Sequence, residues 1–276
     1  MTQAARHQAS KAAATPGPAV PEAAPPARRP DVLIEPLRDD ARLRVWRHRG
    51  TSQRLVVCFS GVGRLATQPP RLEFAKTASG SGRDHVLFIA DPARSWLNAP
   101  GLIEEIAGLV ETEAARIGAA QVVAMGHSLG GFSALVLGGF TKVDVALAMS
   151  PQYSVAPDLV PDEPRWMGFR NKITEWRIRQ AGDHMNAATD HVVIFGRAGR
   201  EAPQRRLMRP AANVACYLLP RVRHDSVVRL HEAGVLDEVV QLAFDGRKRR
   251  LRQLLAERMK ASQVSVDAAQ AGEDAA

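Results

Sequence analysis

The chain has 276 residues, 45% of them hydrophobic, which is enough to build the core of one large domain. Its formal net charge of +8 is concentrated near the ends: residues 1–30 carry +3, residues 247–260 carry +6 and residues 261–276 carry −3, leaving about +2 for the region between. A nucleic-acid-binding domain would spread basic residues over its fold, so we expect no nucleic-acid partner. The sequence contains no run of roughly 18 apolar residues and no hydrophobic signal segment, which predicts a cytoplasmic protein.

The domain organisation follows from the same composition. Residues 1–30 are rich in alanine and proline and lack an apolar run, which predicts a disordered tail. Residues 31–246 carry the periodic apolar segments and are predicted to form the domain. Residues 247–276 begin as a basic helix and end in an acidic tail that is predicted to be disordered. The basic stretch 247–260 predicts at most a weak contact with an anionic surface, and a solvated terminal helix is the alternative.

Eight runs of apolar or alternating residues predict β-strands. They are DVLIE (31–35), ARLRVWRH (41–48), RLVVCFS (54–60), HVLFIA (85–90), QVVAMG (121–126), VDVALAMS (143–150), HVVIFG (191–196) and VACYLLP (214–220). Helical spacing recurs between them, as in PGLIEEIAGLVETEAARIG. Strands alternating with helices predict an α/β fold whose eight-stranded, mostly parallel sheet is flanked by helices. Residues 151–190 are too long for a simple crossover, which predicts a small lid insertion after the sixth strand.

The fifth predicted strand runs into Gly126-His127-Ser128-Leu129-Gly130-Gly131, and helical spacing resumes after it. Glycines two residues before and two after a serine let a strand and a helix approach closely, although the turn strains the backbone of the serine. The serine hydroxyl is then exposed at the N-terminus of the helix. This pattern predicts that Ser128 is a nucleophile, and a buried glycine-rich turn is the alternative.

The strand order, this Gly-His-Ser-Leu-Gly-Gly turn, the insertion after the sixth strand and the histidine after the last strand resemble the α/β-hydrolase superfamily over roughly residues 31 to 245. The superfamily has a catalytic serine, acid and histidine in that chain order, and a serine needs such a base because its hydroxyl is a weak nucleophile. His224, just past the last predicted strand, occupies the place of the base. The resemblance implies that Glu201, the carboxylate after the seventh strand, is the acid.

The acid position is open to alternatives, because the loop before Glu201 is longer than the usual spacing. Asp158 and Asp162 follow the sixth strand, where some members of the superfamily carry their acid. An oxyanion also needs two fixed donors. The backbone N–H of Leu129 is predicted to be one, and the resemblance implies that the second is the N–H of Val62 in the loop Phe59-Ser60-Gly61-Val62-Gly63.

Further residues at this edge are candidates for binding substrate. Ser60 stands where the superfamily often has a histidine, and its hydroxyl is predicted to face the site. Asp91 and Trp96, in the loop DPARSW after the fourth strand, are predicted to shape the substrate pocket, with a structural loop as the alternative. Several arginines could bind an anionic substrate group at this edge, or be solvated: Arg64, Arg94, Arg165, Arg170 and Arg197.

The leading hypothesis is therefore a serine hydrolase that cleaves an ester or thioester of a small-molecule acyl substrate. Acyl transfer on the same residues is one alternative. A non-catalytic binding protein with this fold is another, motivated by the unusual acid spacing and the FSGVG loop. Metal-binding spacings, a Walker loop and a GxGxxG motif are absent from the sequence, so no metal or cofactor is predicted.

Overall fold

The computed structural model describes residues 32–63, 65 and 67–264 of the chain. Nine strands lie in this described part: β1 (Glu35–Asp39), β2 (Arg44–His48), β3 (Arg54–Phe59), β4 (His85–Ala90), β5 (Gln121–His127), β6 (Val145–Met149), β7 (Asp190–Gly196), β8 (Val214–Leu219) and β9 (Ser262–Val264). They form one sheet in the order β1-β2-β4-β3-β5-β6-β7-β8-β9. The strands from β4 to β8 in this order are parallel, whereas β1, β2 and β9 pair antiparallel at the two edges.

Helices cover both faces of the sheet. They are α1 (Ala75–Ala78), α2 (Leu102–Ile117), α3 (Leu129–Leu137), α4 (Met167–Arg170), α5 (Ala202–Arg206), α6 (Ser226–Glu232), α7 (Leu236–Phe244) and α8 (Lys248–Met259), with short 3₁₀ helices at Ala181–Asp183 and Gly199–Glu201. Successive side chains of β3 point to opposite faces, so Val57 packs in the cluster with α2 and α3, and Cys58 packs in the cluster with α6, α7 and α8. This three-layer architecture confirms the predicted α/β class.

The sequence prediction of eight strands is wrong by one. Ser262–Val264 forms β9, which pairs antiparallel with β8, in a stretch that was predicted to belong to the disordered tail. Its first two residues are polar and exposed, so no apolar run marked it. The first predicted strand, 31–35, is also displaced to Glu35–Asp39. Asp40 accepts the N–H groups of Arg42 and Leu43, and this turn sets where β1 must end.

The C-terminal helix is part of the folded domain. Leu251 and Leu255 of α8 are buried against α7, and Lys248 pairs with Asp190 at the start of β7, at 2.7 Å. Among the described helices, none combines the length and apolarity needed to cross a membrane. The predicted N-terminal tail, 1–30, and the acidic end of the chain, 265–276, lie outside the described residues.

Candidate active site

Ser128 lies at the turn between β5 and α3 with φ 59° and ψ −119°, a positive-φ conformation that strains a residue carrying a Cβ. Two glycines make the turn feasible. A Cβ on Gly126 would come closer than 3.0 Å to the backbone of Gly130, and a Cβ on Gly130 would come equally close to the backbone of Phe59. The N–H of Ser128 donates to the carbonyl of Met149 at 3.0 Å. The tight turn therefore fixes the serine at the C-terminal edge of the sheet.

The imidazole of His224, in the loop after β8, bridges two other side chains. Its Nε2 is 2.9 Å from Ser128 Oγ, and its Nδ1 is 3.0 Å from Glu201 Oε1. This loop packs directly against Gly196, where a Cβ would come closer than 3.0 Å to two of the loop's carbonyl oxygens. It is also held by His127, whose Nε2–H donates to the carbonyl of His224 at 2.8 Å. Burial, with the nearby His224, lowers the pKa of His127 to about 4, so His127 is neutral at pH 7.

Glu201 ends the 3₁₀ helix after β7, and its side chain is only 1% exposed. Its Oε1 accepts from Arg165 Nη1 at 3.0 Å as well as facing His224. Arg165 Nη1 is also 2.9 Å from His224 Nδ1. Because a guanidinium keeps its protons at neutral pH, Arg165 and a protonated Nδ1 are two donors that share one acceptor oxygen. The structure thus brings Ser128, His224 and Glu201 into one hydrogen-bonded row, with Arg165 beside its acid end.

Arg165 belongs to a buried charge network within the insertion after β6. Its Nε donates to Glu163 Oε1 at 2.7 Å, and Gln204 Nε2 donates to the other oxygen of Glu163 at 2.9 Å. Burial raises the pKa of Glu163, but the hydrogen bonds and charge of Arg165, with Gln204, outweigh burial and hold that pKa below its ordinary value of 4.5. The network ties the insertion to Glu201 through an ion pair that is largely out of solvent.

The loop after β3 faces the turn that carries Ser128. The N–H of Gly61 donates to Glu73 Oε2 at 3.2 Å, and the carbonyl of Val62 accepts from Arg94 Nε at 3.0 Å. Among the described residues, no acceptor takes the N–H of Val62 or of Leu129. Ser60 is buried, and its hydroxyl has no hydrogen-bond partner in the same part of the chain. Burial raises the pKa of Glu73. The loop therefore presents unused donors, held in place by Glu73 and Arg94.

Several solved structures share this architecture. MPT51 of Mycobacterium tuberculosis superposes with a TM-score of 0.53 at 16% identity, over 73% of this chain and 93% of that chain. A protein described as a putative esterase from Staphylococcus aureus gives 0.52 at 15%, over 76% and 83%. The capsule O-acetyltransferase of Neisseria meningitidis serogroup A gives 0.52 at 13%, over 75% and 94%. Est1E from Butyrivibrio proteoclasticus gives 0.51 at 13%, over 75% and 97%.

The chain has the α/β-hydrolase fold. The sheet order and the placement of Ser128 between β5 and α3 agree with that fold, as the sequence resemblance implied. No protein-family model and no curated protein matches the sequence. At these identities the structural likeness establishes the fold only.

Within the α/β-hydrolase fold, the alternative acids lie away from the histidine. Asp158 is exposed and pairs with Arg179, and Asp162 is also exposed. Neither carboxylate contacts His224 in the described part of the chain, whereas Glu201 does. The geometry therefore favours Glu201 over both alternatives.

The residues predicted to bind substrate are only partly at the site. The carboxylate of Asp91 accepts hydrogen bonds within its own loop, from the N–H of Ala93 and from the N–H and hydroxyl of Ser95. Trp96 is fully buried in the hydrophobic core. The prediction that Asp91 and Trp96 shape the substrate pocket is therefore not supported, because the Asp91 side chain faces its own loop and the Trp96 side chain faces the core. Ser60 is the predicted substrate-binding residue that lies next to the turn, with its carbonyl close to Gly130.

The loop after β4 nevertheless lines a cavity of about 320 Å³, which it shares with the insertion. Pro92, Ala99 and Pro100 contribute one wall, and Phe169 and Ile173 contribute the other. A second cavity, of about 640 Å³, borders the loop after β3 and includes Gly63 and Glu73 among its lining residues. Both cavities lie at the edge of the sheet where ligands of such folds bind.

Three of the arginines at this edge, Arg94, Arg165 and Arg170, bind groups of the protein itself. Arg94 and Arg170 are each 3% exposed and donate to backbone carbonyls, and Arg94 also stacks over Phe169. They are neither solvated nor free for substrate, in contrast to both sequence-based alternatives. Arg165 is engaged by carboxylates, and Arg64 lies outside the described residues. Among the described residues, no cluster of three or more His, Cys, Asp or Glu side chains is placed to hold a metal ion.

Sequence reasoning missed Glu73, Gln152 and the anchoring role of His127. Gln152 follows β6, and its side-chain Oε1 is 3.4 Å from Ser128 Oγ. Glu73 and Gln152 belong to no short motif, and each reaches the site from a separate loop, whereas His127 is the last residue of β5, directly before Ser128. The one local signal was the position of Gln152 just after a parallel strand, at the edge where such sheets bind ligands.

Proposed function

We propose that the protein is a serine hydrolase that cleaves an ester or thioester through an acyl-enzyme on Ser128. The observation that carries this proposal is the continuous row of contacts from Ser128 Oγ to His224 Nε2 and from His224 Nδ1 to Glu201 Oε1. Each distance is within hydrogen-bond reach, and each side chain is held by its own loop. A serine, a base and an orienting acid in this geometry are the parts that acyl transfer needs.

In the first step, the proton of Ser128 Oγ passes to His224 Nε2 while Oγ attacks the acyl carbon. The bond from that carbon to the leaving oxygen or sulfur breaks, and the leaving group takes the proton from Nε2. Water then gives a proton to Nε2 and attacks the acyl carbon, and Ser128 recovers its proton as its bond to carbon breaks. Glu201 accepts from Nδ1–H and stabilises the charged imidazole in each step.

The negative oxygen of each tetrahedral intermediate would lie between the N–H groups of Leu129 and Val62. Both are free of other acceptors in the described chain, and backbone donors fixed before the reaction stabilise such an oxygen strongly. The hydroxyl of Ser60 is a third candidate donor, since it is buried and unpartnered among the described residues.

Acyl transfer to a hydroxyl group is the second candidate, because the same acyl-enzyme serves both reactions. The Neisseria protein with this fold is named for such an activity. The two reactions differ in the acceptor that enters after the leaving group departs. Adding glycerol to the assay separates them: a transferase would form the glycerol ester in place of free acid, and a hydrolase would not.

The test of the proposal is turnover of p-nitrophenyl acetate, butyrate and octanoate by the parent and two variants. Ser128→Ala is expected to abolish turnover, and Glu201→Gln to reduce it by about 10³- to 10⁴-fold. Turnover by Ser128→Ala at the parent rate would refute the assignment of Ser128 as the nucleophile. No turnover by the parent, together with no covalent labelling, would favour the non-catalytic binding protein.

A further inference from the structure

Gln152 is built into the turn that carries Ser128. It follows β6 by three residues, and its backbone N–H donates to the carbonyl of Ser128 at 3.3 Å. The residue is completely buried. Its side chain therefore occupies a fixed position beside the nucleophile and is not a mobile surface group.

The amide of Gln152 faces the reacting atom. Its Oε1 is 3.4 Å from Ser128 Oγ, and its Nε2 has no partner among the described residues. Ser128 has one hydroxyl proton, and His224 Nε2, at 2.9 Å, is the nearer acceptor for it. With the proton directed at His224, Oγ and Oε1 are two acceptors facing each other without a hydrogen between them.

Rotating the amide by 180° removes this conflict. The two ends of an amide have nearly the same shape, so its orientation is decided by hydrogen bonding. After rotation Nε2–H points at Ser128 Oγ and gains an acceptor, while the carbonyl moves to the unpartnered position. A buried carbonyl without a partner is tolerated better than a buried N–H without one.

We propose that Gln152 is a catalytic residue whose Nε2–H donates to Ser128 Oγ, an inference that rests on the function proposed above. As the Ser128 proton moves to His224, Oγ gains negative charge, and the amide stabilises it. In the second step Oγ is the leaving atom, and the same hydrogen bond stabilises it again. Gln152 transfers no proton in either step.

This donor is separate from the oxyanion site. In the sheet, β6 and β3 lie on opposite sides of β5, so Gln152 approaches Ser128 from one side and the Val62 loop from the other. The amide therefore acts on the seryl oxygen, whereas Leu129 and Val62 act on the substrate oxygen. Loss of the amide is expected to slow attack by Ser128 about 10- to 100-fold, the effect of one hydrogen bond to a charged oxygen.

The test measures the rate at which a fluorophosphonate labels Ser128, by mass spectrometry, in the parent, Gln152→Met and Gln152→Glu. Gln152→Met keeps the length and burial of the side chain but removes the donor. The matched control is Gln121→Met, which makes the same substitution at the start of β5, at the opposite edge of the sheet, where the amide accepts from Arg54 Nε and donates to the carbonyl of Phe244. Thermal unfolding of each variant separates loss of stability from loss of rate.

We expect Gln152→Met to label 10- to 100-fold more slowly and Gln121→Met to label at the parent rate. Gln152→Glu keeps the size and shape of the side chain but, as a carboxylate, has no hydrogen to donate, so it should also label more slowly, whereas a packing role would leave its rate at the parent value. Labelling of both Gln152 variants at the parent rate would overturn the inference and leave Ser128 in place. Failure to label the parent would overturn the proposed function as well.

Discussion

Arg165→Met tests the buried charge network most sharply. The substitution keeps the length of the side chain but leaves Glu163 and Glu201, each 1% exposed at the side chain, without their shared cation. Removing one partner of a buried ion pair costs about 3 to 5 kcal/mol in the free energy of unfolding. The matched control, Arg179→Met, breaks a surface pair with Asp158 and should cost less than about 1 kcal/mol.

The pH dependence of this cost has a definite sign. In the parent, the lowered pKa of Glu163 contributes stability above pH 4.5, and that contribution is lost as pH falls. In Arg165→Met, burial without a cation raises the pKa of Glu163 above 4.5, so the variant loses stability as pH rises. The difference from the parent should therefore be larger at pH 8 than at pH 5. Urea unfolding followed by tryptophan fluorescence measures both values, and a loss under about 0.5 kcal/mol at pH 8 would refute the reasoning.

Other substitutions test the packing. Gly130→Ala would push a Cβ into the backbone of Phe59, so we expect little folded protein. Gly108→Ala, on α2, places its Cβ in open space and should raise the free energy of unfolding by about 0.5 to 1 kcal/mol. Equal melting temperatures of the two variants would contradict both expectations. Leu255→Ala should lower the free energy of unfolding, measured by urea denaturation, by about 2 to 5 kcal/mol. A decrease smaller than about 1 kcal/mol would mean that α8 does not contribute to the core. Burial lowers the pKa of His191 from 6.5 to about 4, so the free energy of unfolding of the parent should fall by up to about 3 kcal/mol as pH falls through that range. The free energy of unfolding of His191→Gln should fall by less, and parallel curves of this free energy against pH for the two proteins would disprove the prediction.

The features that could be predicted from the sequence are those that depend only on residues close together in the chain. The apolar runs of the central strands and the glycines around Ser128 are encoded within a few neighbouring residues, and both agree with the structure. Gln152 and Arg165 could not be assigned in this way, because their contacts with Ser128 and Glu201 arise only when separate loops meet at one edge of the sheet. The strand β9 was missed for a similar reason, since its pairing with β8 and not its own polar sequence makes it a strand.

The loop after β4 shows why position along the chain does not identify the side chains that line a cavity. Asp91 and Trp96 follow a strand at the correct edge, but position along the chain does not fix side-chain direction. Asp91 turns back to brace its own loop, and Trp96 packs into the core. The neighbouring Pro92 and Ala99 line the cavity beside them instead. Direction was decided by burial and by hydrogen bonds that the loop makes with itself.

The proposed function depends first on Ser128 being the nucleophile. The most direct measurement treats the purified protein with a fluorophosphonate and maps the adduct by peptide mass spectrometry, beside Ser128→Ala. We expect one adduct, on the peptide that contains Ser128, and no adduct in the variant. Unmodified parent protein, or an adduct on another residue that persists in Ser128→Ala, would contradict the claim.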